Sequence, residues 1–512
     1  SHIVAIVNGG IRFFDKQGTL LFNDQIEGAG GFWGAEGATG FVFDPEVVWD
    51  PHTNRFVAIA AERDGPLSYY LLAVSDDADP TGTWAKYRLD VTPIIGPNID
   101  SVNLSVDSQA IYLTGDFFGP TRYFIYIVDK ASVLNGGTPL ATHTTITGRH
   151  SMGAPVNYDA NADSAYFVFA PESSSSSSIS IYAVDDPLGS PTVQQTTVSV
   201  PTYSQPASPP QMGTTSRPEL FEARFWNAVL RNGKLWATHH QGSPSRQRWY
   251  EFDMAGWPQS GQVPTLVQSG DIDAGAGVST FFGSLWVNDA GAMAMTFAMS
   301  SATSFISMAR TSRSPSDAPG TTGVVETVIS STSPETSGRW GDYSATNDDP
   351  AVPGKFWGHH EYRGSGWRTR IASFDACSGS VENYCVPSPN SVGAGASIQA
   401  NGSISLGDNS LQLVSIGSAP GTFGVFFYGD ARDLAPTGDG VRCVGGTIFR
   451  LGVTQSDIFG RSFFNLDVTM PSNPAALITA GSTWNFQYFY RDIVPMGSGL
   501  NFSDAVAIQF CD

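Results

Sequence analysis

Short apolar runs, broken at close intervals by Gly, Pro, Asn, Asp and Ser, repeat along most of this chain. Between Val47 and Val91 the runs are "VVWDPHTN", "RFVAIAAER", "YYLLAVSDD" and "TWAKYRLDV", the pattern of four short strands joined by turns. Related units follow, among them "VNLSVDSQ–AIYLTGDFF–YFIYIVDK", "WNAVLRNG–KLWATHHQG–RWYEFDMAG" and "GDYSATNDD–KFWGHHEYRG–WRTRIASFD". Copies recur at roughly 50–65 residues, a blade-sized period. The apolar positions are too dense for sheets with one wet face, as expected when both faces pack on neighbours. With three further strands over His2–Asp24, the pattern predicts an all-β chain. Residues 1–375 are read as a seven-bladed β-propeller, with six or eight blades as alternatives. Closing the ring removes exposed sheet edges. The Pro- and Ser-rich stretch Val200–Pro218 is expected to be a long excursion over one face. After residue 375 the composition shifts to Gly, Ser and Asn, and alternating runs such as "TWNFQYFYRD" predict a β-sandwich, Ig-like or jelly-roll-like, over 376–512.

Composition sharpens this picture. A chain of 512 residues exceeds one ordinary core. Charged residues make up only 14% and aromatics 12%, which suits strands and argues against disorder. The formal charge of −20 argues against nucleic acid and anionic membrane surfaces as partners. No apolar run is long enough to span a membrane. The opening "SHIVAIVNGG" has no charged and apolar leader, so an export signal is expected to have been removed or to lie outside this stretch. All 4 cysteines, Cys377, Cys385, Cys443 and Cys511, fall in the last quarter without zinc-type spacing. They predict one or two disulfides and an oxidising compartment, with three full pairings open.

The candidate chemistry centres on two double histidines, His239–His240 and His359–His360, the second followed by Glu361 and Tyr362. Alternation along a strand puts His359 with Glu361 on one face and His360 on the other. A metal site would therefore need His359 and Glu361 to meet a histidine of another unit, such as His239. The plainer expectation is imidazoles hydrogen-bonded between blades; His360 and Glu361 are also candidates for acid–base work. "GRWGDYS" adds Arg339, to hold an anionic group, and Asp342 or Tyr343, to move a proton; a buried Arg339–Asp342 pair is the structural reading. Arg246 with Arg248, and Arg368 with Arg370, share strand faces and are candidate forks for a carboxylated sugar. Asp76, Asp77 and Asp79 cluster in one turn, where a structural calcium ion is the only cofactor the pattern suggests. Nucleophile-elbow, zinc-protease, P-loop and dinucleotide motifs are absent.

The turn "SDDADPTGTW" resembles the Asp box of sialidase-type propellers, Ser-x-Asp-x-Gly-x-Thr-Trp, with extra residues between Asp77 and Gly82. The blocks "DPEVVWDPHTNRFVA", "VLRNGKLWATHH" and "GRWGDYSATNDDP" resemble exported bacterial β-propeller proteins that are sialidase-like in shape. "YCVPSPNSVG", "VRCVGG" and "LNFSDAVAIQFC" resemble a C-terminal module of secreted planctomycete and myxobacterial proteins; Phe489 and Tyr490 stand where tryptophans are usual there. These resemblances imply a secreted or cell-surface protein and no particular reaction. The first functional expectation is an extracellular binding protein whose propeller face recognises a polysaccharide or a cell-surface or matrix component. The alternative is a carbohydrate-active enzyme, a polysaccharide lyase or sialidase-like glycoside hydrolase, working at the propeller mouth.

Overall fold

The structure is a computed structural model describing residues 2–117, 122–160, 164–376, 379–406, 409–471, 473–493 and 497–511. It is nearly all β. Helix among these residues is limited to single turns such as Thr92–Ile95 and Lys130–Val133. None is long and apolar enough to cross a membrane.

Sheets follow one another in chain order up to Asp375. The first holds His2–Val7, Gly10–Asp15 and Leu20–Asp24; the second runs from Phe41–Asp50 to Trp84–Asp90, and the third from Ile99–Val106 to Ala141–Thr147. The fourth holds Ser164–Phe169, Ser175–Asp185 and Thr192–Ser204. The fifth runs from Asn227–Arg231 to Thr265–Asp271, the sixth from Ser279–Val287 to Glu326–Ser330, and the seventh holds Ala345–Asp348, Lys355–Arg363 and Trp367–Asp375. One expected strand is split. Gly153 bridges to Val168 of the fourth sheet, whereas Val156–Asn157 pairs in parallel with the fifth. Pro155 lies between them and has no N–H for a ladder, so the segment serves two sheets instead of one.

Each sheet packs on the next. Phe13 stacks on Trp84, Tyr70 on Phe124, Tyr112 meets Phe167 edge-on, Tyr203 meets His239, and Trp226 meets Phe282. Thr296 and Thr346 share a buried hydrogen bond of 2.7 Å between the sixth and seventh sheets. The order then returns to its start: Lys16 Nζ lies 2.5 Å from the fully buried carboxylate of Asp349. A cyclic order of sheets around a common cavity is the arrangement of a β-propeller. Apolar residues on both faces, as in Leu67–Ser75, where every residue after Leu67 is buried, are what such packing requires.

After Asp375 the strands change partners. Ser380–Tyr384, Leu500–Gln509, Thr483–Arg491, Phe423–Thr437 and Gly440–Gln455 form one sheet; Ser397–Asn401, Gln412–Ile416 and Arg461–Asn465 form another. Leu413 and Ile398 from the second sheet share an apolar core with Phe426, Phe486, Tyr488 and Ile508 from the first. Val324 of the preceding region packs against this core, and Arg310 donates to Ser403 at 3.2 Å. Cys385 is bonded to Cys443 across 58 residues. Cys511 is also disulfide-bonded, and Cys377 lies outside the described residues.

The irregular Asp box is a self-contained turn. Asp76 accepts from the Thr83 backbone and hydroxyl at 3.2 and 2.6 Å, Asp79 from those of Thr81 at 3.0 and 2.7 Å, and Asp77 from the Asp79 backbone at 2.7 Å. The carboxylates are spent mainly on their own loop, with Asp79 also 3.7 Å from His2 Nδ1. They are not among the His, Cys, Asp and Glu groups whose ligand atoms converge among the described residues.

Candidate functional site: the mouth of the ring

The innermost strands surround a cavity of about 720 Å³. Several of these strands begin with the same local device. Asp44, Ser101, Ser151 and Phe282 have φ of 48, 49, 51 and 49°, in the left-handed region that costs a non-glycine residue about 1–3 kcal/mol. Three of them fall within register shifts, between Phe43 and Glu46, Asp100 and Asn103, and Phe281 and Ser284. Bulges re-aim side chains out of a sheet's plane. Here they bring Asp44 and Asp100 to the cavity wall, which Ser151 also lines.

The result is an acidic mouth. The Asp44 carboxylate accepts from Ser101 N at 3.1 Å, while its own backbone N–H donates to Asn8 at 2.9 Å. Burial, then the nearby charges of Asp100 and Asp342, push its pKa up to about 7. Glu46, two residues on, is pushed up to about 7 by burial despite a 2.6 Å bond from Leu104 N. Asp342 pairs with Arg339 at 3.0 Å, and this pair is open to solvent instead of buried. Tyr343 is driven well above its usual range by burial and by Asp44 and Asp342, so it stays protonated.

Glu361 is only 3% exposed and holds this segment from beneath. It accepts from Tyr343 N at 3.2 Å and Trp367 Nε1 at 3.1 Å, and burial pushes its pKa up to about 7. The excursion after Ser204 crosses the sixth and seventh sheets. Met212 N donates to Ser304 O at 3.0 Å and Glu219 N to Gly338 O at 2.8 Å. It delivers Phe221 and Arg224 to the mouth, where the Arg224 and Arg339 guanidinium groups lie 5.1 and 5.0 Å from the Phe221 ring centre.

The double histidines divide as alternation requires. His359 lines the cavity, and its buried Nε2 has no hydrogen-bond partner among the described residues. His360 points the other way: its Nε2 bonds Phe282 O at 3.0 Å, and its Nδ1 accepts from Glu361 N at 2.8 Å. From the fifth sheet, His240 Nδ1 accepts from Phe282 N at 3.3 Å. Two imidazoles of flanking sheets thus clamp the backbone of one left-handed residue. Gly341 completes the clamp, because a Cβ there would sit 2.1 Å from the Phe282 ring. His239 spends both nitrogens, on Ala223 O and Tyr250 OH, each at 2.9 Å. The expected trio of His239, His359 and Glu361 therefore forms no converging ligand set among the described residues. His360 and His240 hold strands together.

Burial pushes His240 down to about 3 and His360 down to about 4. The unfolded chain protonates these rings below about pH 6.5, so their stabilising contribution is present above that pH and lost as it falls. Replacing both by Gln is expected to flatten the stability–pH slope near pH 5 by about 2–3 kcal/mol per pH unit, read from urea melts.

The four candidate fork arginines do not line the cavity. Arg248 grips Asp271 through two bonds of 2.6 and 2.7 Å and also donates to Pro201 O and Thr202 O. Arg246 reaches Asp273 at 3.2 Å and donates to Val278 O. Arg368 and Arg370 are exposed on the outer strand of the seventh sheet. Arg224 and Arg339 occupy the place those arginines were expected to fill.

No family description matches this chain, and no curated relative does. Among solved structures it is similar to the GH43 protein BlXynB of Bacillus licheniformis, at 8% identity over 91% of this chain and 97% of that one, with a TM-score of 0.29. It is also similar to a Hadza microbial sialidase, at 15% identity over 57% and 58%, with a TM-score of 0.26. A third is the GH32 β-fructofuranosidase BmSUC1 of Bombyx mori, at 10% identity over 80% and 88%, with a TM-score of 0.23. At such identities and scores no chemistry passes from them to this chain.

Proposed function

We propose that this chain is a carbohydrate-active hydrolase working at the mouth of its ring of sheets. In this reading residues 1–375 are a seven-bladed propeller and 376–512 a β-sandwich accessory module. The observation that supports it is Asp44. It is a carboxyl group kept protonated near neutral pH, beside two further carboxylates, at the wall of a cavity. Cleaving a glycosidic bond needs one carboxylic acid to protonate the leaving oxygen and a second carboxylate to act on the other side. Asp44 supplies the first. Asp342, oriented by Arg339, supplies the second. Phe221 offers an apolar ring for a sugar face, and the unpaired Nε2 of His359 offers a partner for a hydroxyl. Tyr343 and Glu361 shape the wall. The Cys385–Cys443 bond suits an oxidising, extracellular setting.

The test is a screen of neutral and acidic polysaccharides for release of new reducing ends, with Asp44→Asn as control. Release by the parent and none by the variant is expected. Saturable binding without cleavage by either protein would instead establish the non-catalytic binder.

A further inference from the structure

At one edge of the mouth, three segments far apart in sequence bring together His150, Glu172 and Glu222. Their ligand-type atoms all lie within 4.8 Å of one another, the one such group of three among the described residues. His150 follows the third sheet, Glu172 follows the first strand of the fourth, and Glu222 arrives on the long excursion. His150 Nε2 faces Glu172 Oε1 at 2.8 Å, with the two side chains 33% and 36% exposed. Glu222 gives one oxygen to Arg224 at 2.5 Å and keeps a second.

The other ring nitrogen sets the chemistry. His150 Nδ1 lies 3.1 Å from Ser151 Oγ. Ser151 is 7% exposed and donates its hydroxyl to Asp116 at 2.9 Å and its backbone N–H to the same carboxylate at 2.7 Å. A hydroxyl has one proton. With the hydroxyl proton directed to Asp116, Ser151 Oγ accepts from Nδ1–H, and Nε2 faces a carboxylate oxygen. A proton between the two makes this contact an ion pair, and a divalent cation that displaces the proton would take both atoms as ligands. A ring N–H fixed on a carboxylate-backed partner is the outer support that metal-ligating histidines have.

We propose that His150, Glu172 and Glu222 bind one zinc-class divalent cation, with water in the fourth position. One imidazole and two carboxylates suit zinc, whereas calcium takes six or more oxygens. Bond lengths of about 2.0–2.1 Å require only small rotations of side chains that are partly open to solvent. The site stands independently of the hydrolase reading, since neither Asp44 nor Asp342 contributes to it.

Titration calorimetry of the whole chain with zinc chloride, repeated with calcium chloride, tests this. About one equivalent of zinc is expected, with calcium far weaker. His150→Ala and Glu172→Gln should each weaken binding at least about 10-fold, and Ser151→Gly, which keeps the left-handed backbone and removes the relay, by about 10–100-fold. Thermal melts without metal check that the variants are folded; Glu172→Gln, at a surface position, serves if His150→Ala is not. Zinc binding unchanged in His150→Ala or Glu172→Gln, no zinc uptake at about 100 times a micromolar Kd, or calcium bound as tightly as zinc would each overturn the site.

Discussion

Asp44→Asn is expected to lower glycoside hydrolysis by about 10²–10⁴-fold, the usual worth of a positioned general acid. It should also leave the protein more stable than the parent in mildly alkaline solution. Both follow from one fact, that Asp44 holds its proton up to about pH 7. As a proton donor it works while protonated, so the parent's kcat/KM should fall as pH rises through about 7. In folding, the native state holds this proton more tightly than the unfolded chain, which releases it near the ordinary carboxyl value. The contribution to stability is therefore complete at low pH and disappears as pH rises through the folded-state pKa. Asparagine carries no charge to bury and escapes that loss. Paired measurements decide the matter: a pH profile of kcat/KM, and urea melts at about pH 6 and about pH 8. An Asn variant that keeps more than about a tenth of parental activity would remove Asp44 from the chemistry.

Removing the Cys385–Cys443 bond, by Cys385→Ser with Cys443→Ala, is expected to cost about 4 kcal/mol of stability in the region after Asp375. This follows from the loop-closure entropy of a 58-residue separation. The bond joins the segment after the short strand Ser380–Tyr384 to the long strand Gly440–Gln455. Tyr384 OH also donates to Cys443 O at 3.0 Å, and Cys443 is fully buried. Trp484, in the core of this region and 7% exposed, reports its unfolding by fluorescence. The expected result is a lower urea midpoint for the Trp484 signal. A change below about 1 kcal/mol would mean that the apolar core alone holds these sheets.

The acidic mouth was largely hidden in the one-dimensional pattern. Attention falls on "GHHEY" because double histidines are rare, yet three of the four imidazoles tie neighbouring segments together. Asp342 and Arg339 were found because "GRWGDYS" is distinctive. Asp44, Glu46, Asp100 and Asp116 read as ordinary turn and strand carboxylates, and Arg224 sits inside a Pro- and Ser-rich excursion. A weak signal exists. "DPEVV" and "DSVNL" both place an acidic residue at a bulge in the first strand of its sheet, and both residues line the cavity.

What the sequence determined by itself is the local grammar. Dense apolar runs between turn residues dictate strands, the blade-sized period dictates successive antiparallel sheets, and two-sided apolar faces require those sheets to pack on one another. These follow from alternation and turn chemistry, which act over a few residues. Only the tertiary structure decided which carboxylates meet, because Asp44, Asp100 and Asp342 lie on segments far apart in sequence and interact through space. A pKa set by burial and by neighbouring charge is a property of the closed ring, and no single stretch of chain contains it.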